Sequence, residues 1–187
     1  MREFIIPEPL TYDGTQLVSH WAYRNYGVLG DSIVTFQGPC RVDLTEMVDL
    51  KDVIENAPIF SEQMLHFIVE HFTLDLECTI LRQRLLVAVI KDIVSEKCGA
   101  GIRRSGDDLF VGEQKLTVSI ATLTPVSCMI HTGVNITGRN APVAAIGLAE
   151  LGISLDGVSQ VAKAICRAYV EEYEQVKLAR CKVRGVG

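Results

Sequence analysis

The sequence predicts an α+β fold: a mixed, mostly antiparallel sheet with helices packed on it. Three observations carry that expectation. Two segments, KLTVSIATL at 115–123 and CMIHTGVNI at 128–136, read at a strand's period of two, and no charge follows Lys115 until Arg139. Two long segments, about 74–97 and 156–179, carry apolar residues three and four apart, as helices with one buried stripe do. Strand-like and helix-like segments are interspersed without the strict alternation that marks a parallel α/β sheet.

The elements follow in order. Residues 4–12 read as a short strand closed by the turn signal Asp13-Gly14. Ser19 is placed to cap a helix running to about Gly27, with Leu17 and Trp21 four apart on one face. Gly30-Asp31 leads into a buried strand, SIVTFQ, at 32–37. The segment GPCRVDLTEMVDLKDVIENAP reads as loop-rich, with a short helix near Asp49–Ala57 stopped by Pro58. MLHFIVEHF, aromatic and β-branched between turn signals, reads as a strand. In the helix over 74–97, Asp75 and Glu77 suit the first turn, and Lys97 and Gly99 mark the end. Its stripe is Leu81, Leu85, Leu86, Val89, Ile90 and Ile93. DLFV, GEQ and KLTVSIATL suggest a hairpin feeding the strand CMIHTGVNI. The last helix, about Asp156 to Ala179, presents Val158, Val161, Ala162, Ile165, Tyr169, Tyr173 and Val176 as a core or interface face. With no repeat, low-complexity stretch or linker, residues 1–187 are expected to form a single domain.

Composition narrows the function classes. A length of 187 residues suits one well-filled core. Hydrophobic residues make up 48% and the mean hydropathy is +0.24, which points to a large core plus a subunit interface, hence a homo-oligomer. The net charge of −5, without a basic stripe, argues against nucleic-acid binding. Lys177, Arg180, Lys182 and Arg184 read as the cationic end of a helix. The cysteines (Cys40, Cys78, Cys98, Cys128, Cys166, Cys181) show no CxxC and no zinc spacing, so no metal site is expected. The charged, proline-containing start MREFIIPEPLTYDG is not a signal peptide, which predicts a cytoplasmic protein with reduced thiols. The long uncharged stretch is broken by Pro125 and has a period of two, so no membrane span is expected.

The candidate site lies on the paired strands. Alternation puts Lys115, Thr117 and Ser119 on one face, and His131, Gly133 and Asn135 on one face of the next strand. If these faces coincide, an ammonium, an imidazole and an amide converge on a small-molecule ligand. Gly133 would admit a close approach. Arg103-Arg104-Ser105-Gly106-Asp107-Asp108 reads either as an anion pocket or as a surface turn with internal ion pairs. Cys40, beside Arg41 in an expected loop, is a candidate low-pKa nucleophile, against the plainer reading of a small buried hydrophobe. Glu46, Asp49, Asp52 and Glu55 form an acidic face, most simply a solvated one. Glu70 on an apolar strand needs a partner if buried, and Arg82 or Arg84 is the natural candidate. No GxGxxG, P-loop or GxSxG signature is present.

MLHFIVEHF, RQRLL, RRSGDDLF with KLTVSIAT, and HTGVNI together resemble the family called domain of unknown function 366, from GDSIVTFQGPC to the end of the chain. More distantly, the order helix, D-x-[FY]-V-x-x-x-K, strand, H-x-G is similar to the catalytic domain of biotin and lipoate protein ligases and octanoyltransferases. That resemblance implies a mixed sheet with helices, ATP as candidate cofactor, and Lys115 as the residue contacting the acyl group and its adenylate. His131 and Gly133 match the next strand's histidine-glycine pair, with Thr132 between them. The RRxSGGGxVxH loop of the ligases has no counterpart before MLHFIVEHF, and the downstream cysteine of octanoyltransferases is absent. Two function classes follow. In an acyl or adenylate transferase, Lys115, His131 and Cys40 would be catalytic, and Arg103, Arg104, Ser119, Gly133 and Asn135 would bind substrate. The alternative is a non-catalytic small-molecule-binding or homo-oligomeric structural protein.

Overall fold

The structure is a computed structural model that describes residues 1–57 and 59–187. The chain runs β1 (Arg2–Ile5), α1 (Trp21–Tyr26), β2 (Ser32–Val42), α2 (Leu50–Glu55), β3 (Ile59–His71), α3 (Leu76–Cys98), β4 (Ile102–Ser105), β5 (Asp108–Val111), β6 (Gln114–Lys115), β7 (Thr117–Leu123), β8 (Cys128–Asn135) and α4 (Leu155–Cys181). The helix stop expected at Pro58 lies outside the described residues.

Five strands form the main sheet in the order β1-β2-β3-β8-β7, and β4-β5-β6 form a small second one. Only β1 and β2 pair in parallel, and the other neighbours are antiparallel. This is the expected mixed, mostly antiparallel α+β architecture.

Both faces of the sheet are covered, which explains why its central strands read as nearly continuous apolar runs. On one face, α3 and α4 pack Leu86, Val87, Ile90, Val94, Val161, Ile165 and Tyr169 against Ile33, Phe67, Ile130 and Val134. Each such aliphatic side chain taken out of water contributes about 1.5–3 kcal/mol. On the other face, Trp21 and Ala22 of α1 join Tyr12, Phe36, Met64, Ile68 and Met129. Helices therefore sit on both sides of the sheet.

Helix ends follow their capping residues. Asp75 accepts from the Cys78 amide at 2.9 Å, and Gly99 ends α3 in the left-handed region at φ 66°. Ser154 caps α4, whose 27 residues span about 40 Å. Three expectations are corrected. The buried stripe of α3 is shifted toward Leu86, Val87, Ile90 and Val94, which leaves Leu81 exposed, and Val176 of α4 is exposed. The cap of α1 is His20 in left-handed conformation, without a side-chain cap bond, in place of Ser19. Among the described residues no helix is long and apolar enough to cross a membrane.

The N-terminal segment positions the site. The strand expected over 4–12 ends at Ile5, because Pro7 and Pro9 have no N–H to give a ladder. Pairing resumes as Leu10 and Tyr12 donate to the carbonyls of Gln37 and Pro39, each at 2.9 Å. Gly38 allows this approach: a Cβ there would lie 2.1 Å from the Leu10 carbonyl oxygen. The chain thus carries the Tyr12 side chain over the sheet, toward β3 and β8.

Candidate functional site

Strict alternation breaks at Leu116, between β6 and β7. Leu116 joins the helix-side core, and Thr117 also turns inward, its Oγ1 accepting from the Leu109 amide at 2.8 Å. Two consecutive residues facing one layer reverse the alternation that follows. Lys115 therefore shares its side of the sheet with Val118 and Ile120, not with Thr117 and Ser119 as expected. The expected meeting of Lys115 with His131 and Asn135 does occur: all three line one cavity of about 340 Å³.

His131, in the wall of that cavity, is one of a buried histidine pair. His66 Nδ1 lies 3.1 Å from His131 Nε2, and His66 Nε2 lies 3.2 Å from the Gly38 carbonyl. Burial pushes His66 down to about 3 and His131 well below the usual histidine range, so both rings are neutral at physiological pH. The carbonyl can only accept, so His66 carries its proton on Nε2, and its bare Nδ1 accepts from His131 Nε2. In that tautomer the remaining His131 nitrogen, Nδ1, is a bare acceptor with no partner among the described residues. Tyr12 lies flat on His131, ring centroids 3.6 Å apart and planes 11° from parallel. Burial raises the Tyr12 phenol well above its ordinary value, so it stays protonated.

Asn135 and Lys115 complete the floor. The Asn135 amide donates from Nδ2 to the Lys115 carbonyl at 3.2 Å, which leaves Oδ1 as an acceptor. Lys115 Nζ pairs with Asp108 Oδ2 at 2.9 Å on the rim. Burial nevertheless raises the Asp108 pKa, outweighing the ammonium that lowers it. The cavity wall carries five carboxylates (Glu46, Asp49, Asp52, Asp107, Asp108) and two lysines (Lys51, Lys115). Burial and then Asp49 raise the Asp52 pKa, against the pull of Lys115. The apolar lining comes from Leu17, Val42, Met47, Phe60, Met64, Val118 and Ile120.

The other expected site residues lie elsewhere. Cys40 is not in a loop: β2 continues through GPCRV, so the thiol is fully buried. That burial pushes its pKa up to about 12, which corrects the expectation of a lowered, nucleophilic thiol. Arg103 lies over the Phe110 ring at 4.8 Å, and Arg104 donates to the Gly106 carbonyl at 2.7 Å on the exposed hairpin. Neither lines the cavity; of the RRSGDD turn, Asp107 and Asp108 do. The Ser119 backbone borders the cavity, but its hydroxyl is held by Gln83 Nε2 at 2.9 Å, Thr132 Oγ1 at 2.8 Å and the His131 carbonyl at 3.1 Å. Gly133 makes room for the Met64 side chain, since a Cβ there would lie 2.1 Å from its sulfur. Glu70 is buried, but its partners are the His20 amide and the Ser127 hydroxyl, each at 2.7 Å, in place of an arginine.

Three site residues escaped the sequence reading. Tyr12 gives no local signal, because its position depends on the proline break and on Gly38. The signal for His66 is a histidine on a strand otherwise apolar enough to be buried on both faces. Asp108 was set apart from Lys115 because the hairpin register that joins them was not assigned.

The model of the family described as domain of unknown function 366 matches residues 1–184. The chain belongs to that family. An uncharacterised protein of Methanocaldococcus jannaschii is 36% identical over 183 residues, which cover 95% of this chain and 81% of that protein. The solved structure of a protein of unknown function from Pyrococcus horikoshi is 39% identical, covers 99% of this chain and 100% of that chain, and superposes with a TM-score of 0.88. Two further structures share the fold. Biotin protein ligase from Aquifex aeolicus, in complex with biotin and ATP, is 13% identical with a TM-score of 0.60, covering 91% of this chain and 72% of that one. Lipoate-protein ligase A bound with ATP is 13% identical with a TM-score of 0.54, covering 91% and 86%. The α+β fold is that of the biotin and lipoate protein ligases, as the sequence resemblance implied.

Proposed function

We propose that this chain binds a small organic molecule in the cavity over Lys115, His131 and Asn135. One observation carries the reading. His131 and Asn135, only 3% and 6% exposed, bring acceptor atoms without described partners to the floor of a recess with an apolar lining. Acceptors left open at the wall of a recess are the groups with which a ligand's donors pair, and such convergent polar atoms in an apolar cleft mark a small-molecule site. The shared fold is consistent with such a role, since the Aquifex ligase holds biotin and ATP.

The test is a thermal-shift screen with biotin, lipoate, octanoate and Mg·ATP on wild type and on Ile120→Trp, which fills the cavity. A ligand at a hundredfold above its Kd adds about 2.7 kcal/mol. For a chain of this size that is a shift of roughly 5–10 °C. A shift in wild type that disappears in Ile120→Trp supports the reading, and equal shifts in both proteins contradict it.

A second reading, acyl or adenylate transfer with ATP, is favoured by the position of Lys115 on the rim, where an ammonium can polarise a carbonyl or a phosphate. Pyrophosphate release from Mg·ATP with biotin, lipoate or octanoate, lost in Lys115→Ala without loss of stability, would support it. No release by wild type leaves binding as the sole reading.

A further inference from the structure

We infer that the ligand of this cavity presents a cationic hydrogen-bond donor, an alkyl ammonium or amidinium group, to His131 and Asn135. The inference rests on the cavity reading above and names the class of molecule it takes. Two free acceptors stand at the floor, His131 Nδ1 and Asn135 Oδ1. His66 gives its Nε2 proton to the Gly38 carbonyl, so His131 must donate from Nε2 and is left bare at Nδ1. Asn135 gives one Nδ2 hydrogen to the Lys115 carbonyl, which leaves Oδ1 as an acceptor and the second Nδ2 hydrogen as a donor. The Tyr12 hydroxyl on that wall can either donate or accept.

The charge around the floor has the same sense. Five carboxylates border the cavity against two ammonium groups. Lys115 and Asp108 pair with each other at 2.9 Å, Asp107 lies 3.5 Å from Arg84, and Lys51 pairs outward with Glu55 at 3.9 Å, so Glu46, Asp49 and Asp52 are left without a cationic partner among the described residues. Arg103 and Arg104, the groups best suited to holding a carboxylate or phosphate, stand outside. An anionic head would meet lone pairs and carboxylates, whereas an ammonium would meet acceptors at the floor and negative charge at the rim. Among the described residues no three His, Cys, Asp or Glu side chains are grouped to hold a metal ion, so the cation that fits is organic. Its body is apolar, to match Met47, Phe60, Val118 and Ile120.

Calorimetric titration with hexylamine, hexanol and hexanoate, which differ only in the head group, tests this directly. The expected order is hexylamine tightest, by about tenfold over hexanol, with hexanoate weakest. Asp108→Asn and, at the more open position, Asp52→Asn should each weaken hexylamine severalfold and leave hexanol unchanged. Far-ultraviolet circular dichroism reports whether either variant has lost its fold. Ile120→Trp should abolish binding. If hexanoate, biotin or Mg·ATP binds in the cavity more tightly than hexylamine, the cation inference falls while the cavity reading stands. Hexylamine binding that survives Ile120→Trp overturns the inference by placing the amine elsewhere. Failure of every compound, those of the thermal-shift screen included, overturns both.

Discussion

Acidification from pH 7 to pH 5 should cost the folded protein about 2 kcal/mol through His66, and His131 adds to that loss in the same direction. Burial holds His66 down at about 3 and His131 well below its usual value, whereas both return to about 6.5 in the unfolded chain. Between those limits the unfolded state takes up protons that the folded state refuses. The stability tied to His66 is therefore complete above about pH 6.5 and is lost as the pH falls toward about 3, and that tied to His131 is lost in the same direction. At pH 5 His66 has forfeited about 2 kcal/mol. His71, also lowered by burial first, adds to the decline. Asp31 and Glu150 are lowered from carboxylate values, so the stability they contribute is largely intact at pH 5 and is lost at more acid pH. Asp52 and Asp108 are raised, so protonating them favours the folded state and works against the decline. The assay is urea unfolding at pH 7, 6 and 5 on wild type and on the double variant His66→Gln, His131→Gln. Wild type should lose stability steeply, and the double variant should lose less across the same interval by at least the His66 share of about 2 kcal/mol. A wild-type midpoint that does not move between pH 7 and pH 5, or an equal decline in both proteins, would refute the argument.

Two further outcomes follow from packing. Gly38→Ala should destabilise by about 3 kcal/mol, because overpacking against a backbone cannot be relieved by a rotamer change. Its new Cβ would lie 2.1 Å from the Leu10 carbonyl oxygen, whereas Gly101→Ala, with nothing within 4 Å, should stay near neutral in the same chemical-denaturation assay. Under a thiol reagent at pH 8, exposed Cys181 should be modified at once, and buried Cys40 only on unfolding. Rapid labelling of Cys40 in the native protein, read by peptide mass spectrometry, would contradict its placement in β2.

The regular parts of the fold were legible where one periodicity ran without interruption. The long helices and the strands MLHFIVEHF and CMIHTGVNI read correctly because each keeps its period from end to end. β2 was cut short because GPCR carries loop-forming residues. In the structure Gly38 gives room to Leu10, and Cys40 is a small buried side chain in the ladder. Half of the site was legible too: Lys115, His131 and Asn135 meet in one cavity. Ser119 was misplaced by the local break at Leu116, which local periodicity cannot show because tertiary pairing with Leu109 and Asn135 sets it. The arginines drew attention by charge, but in the hairpin register it is the neighbouring aspartates that turn toward the cavity. Tyr12 and the His66 contact depend on pairings distant in sequence, and nothing local announces them.

The most direct measurement of the central claim is an amide-resolved NMR titration of the protein with hexylamine, followed by the same titration of Ile120→Trp. Binding in the cavity should move the resonances of Lys115, Val118, Ile120, His131 and Asn135 together in wild type, shift the His131 Nδ1 nitrogen as its lone pair accepts a proton donor, and leave the variant unmoved. Shifts confined to the far side of the sheet, on α3 and α4, or equal shifts in both proteins, would contradict a ligand site over Lys115, His131 and Asn135.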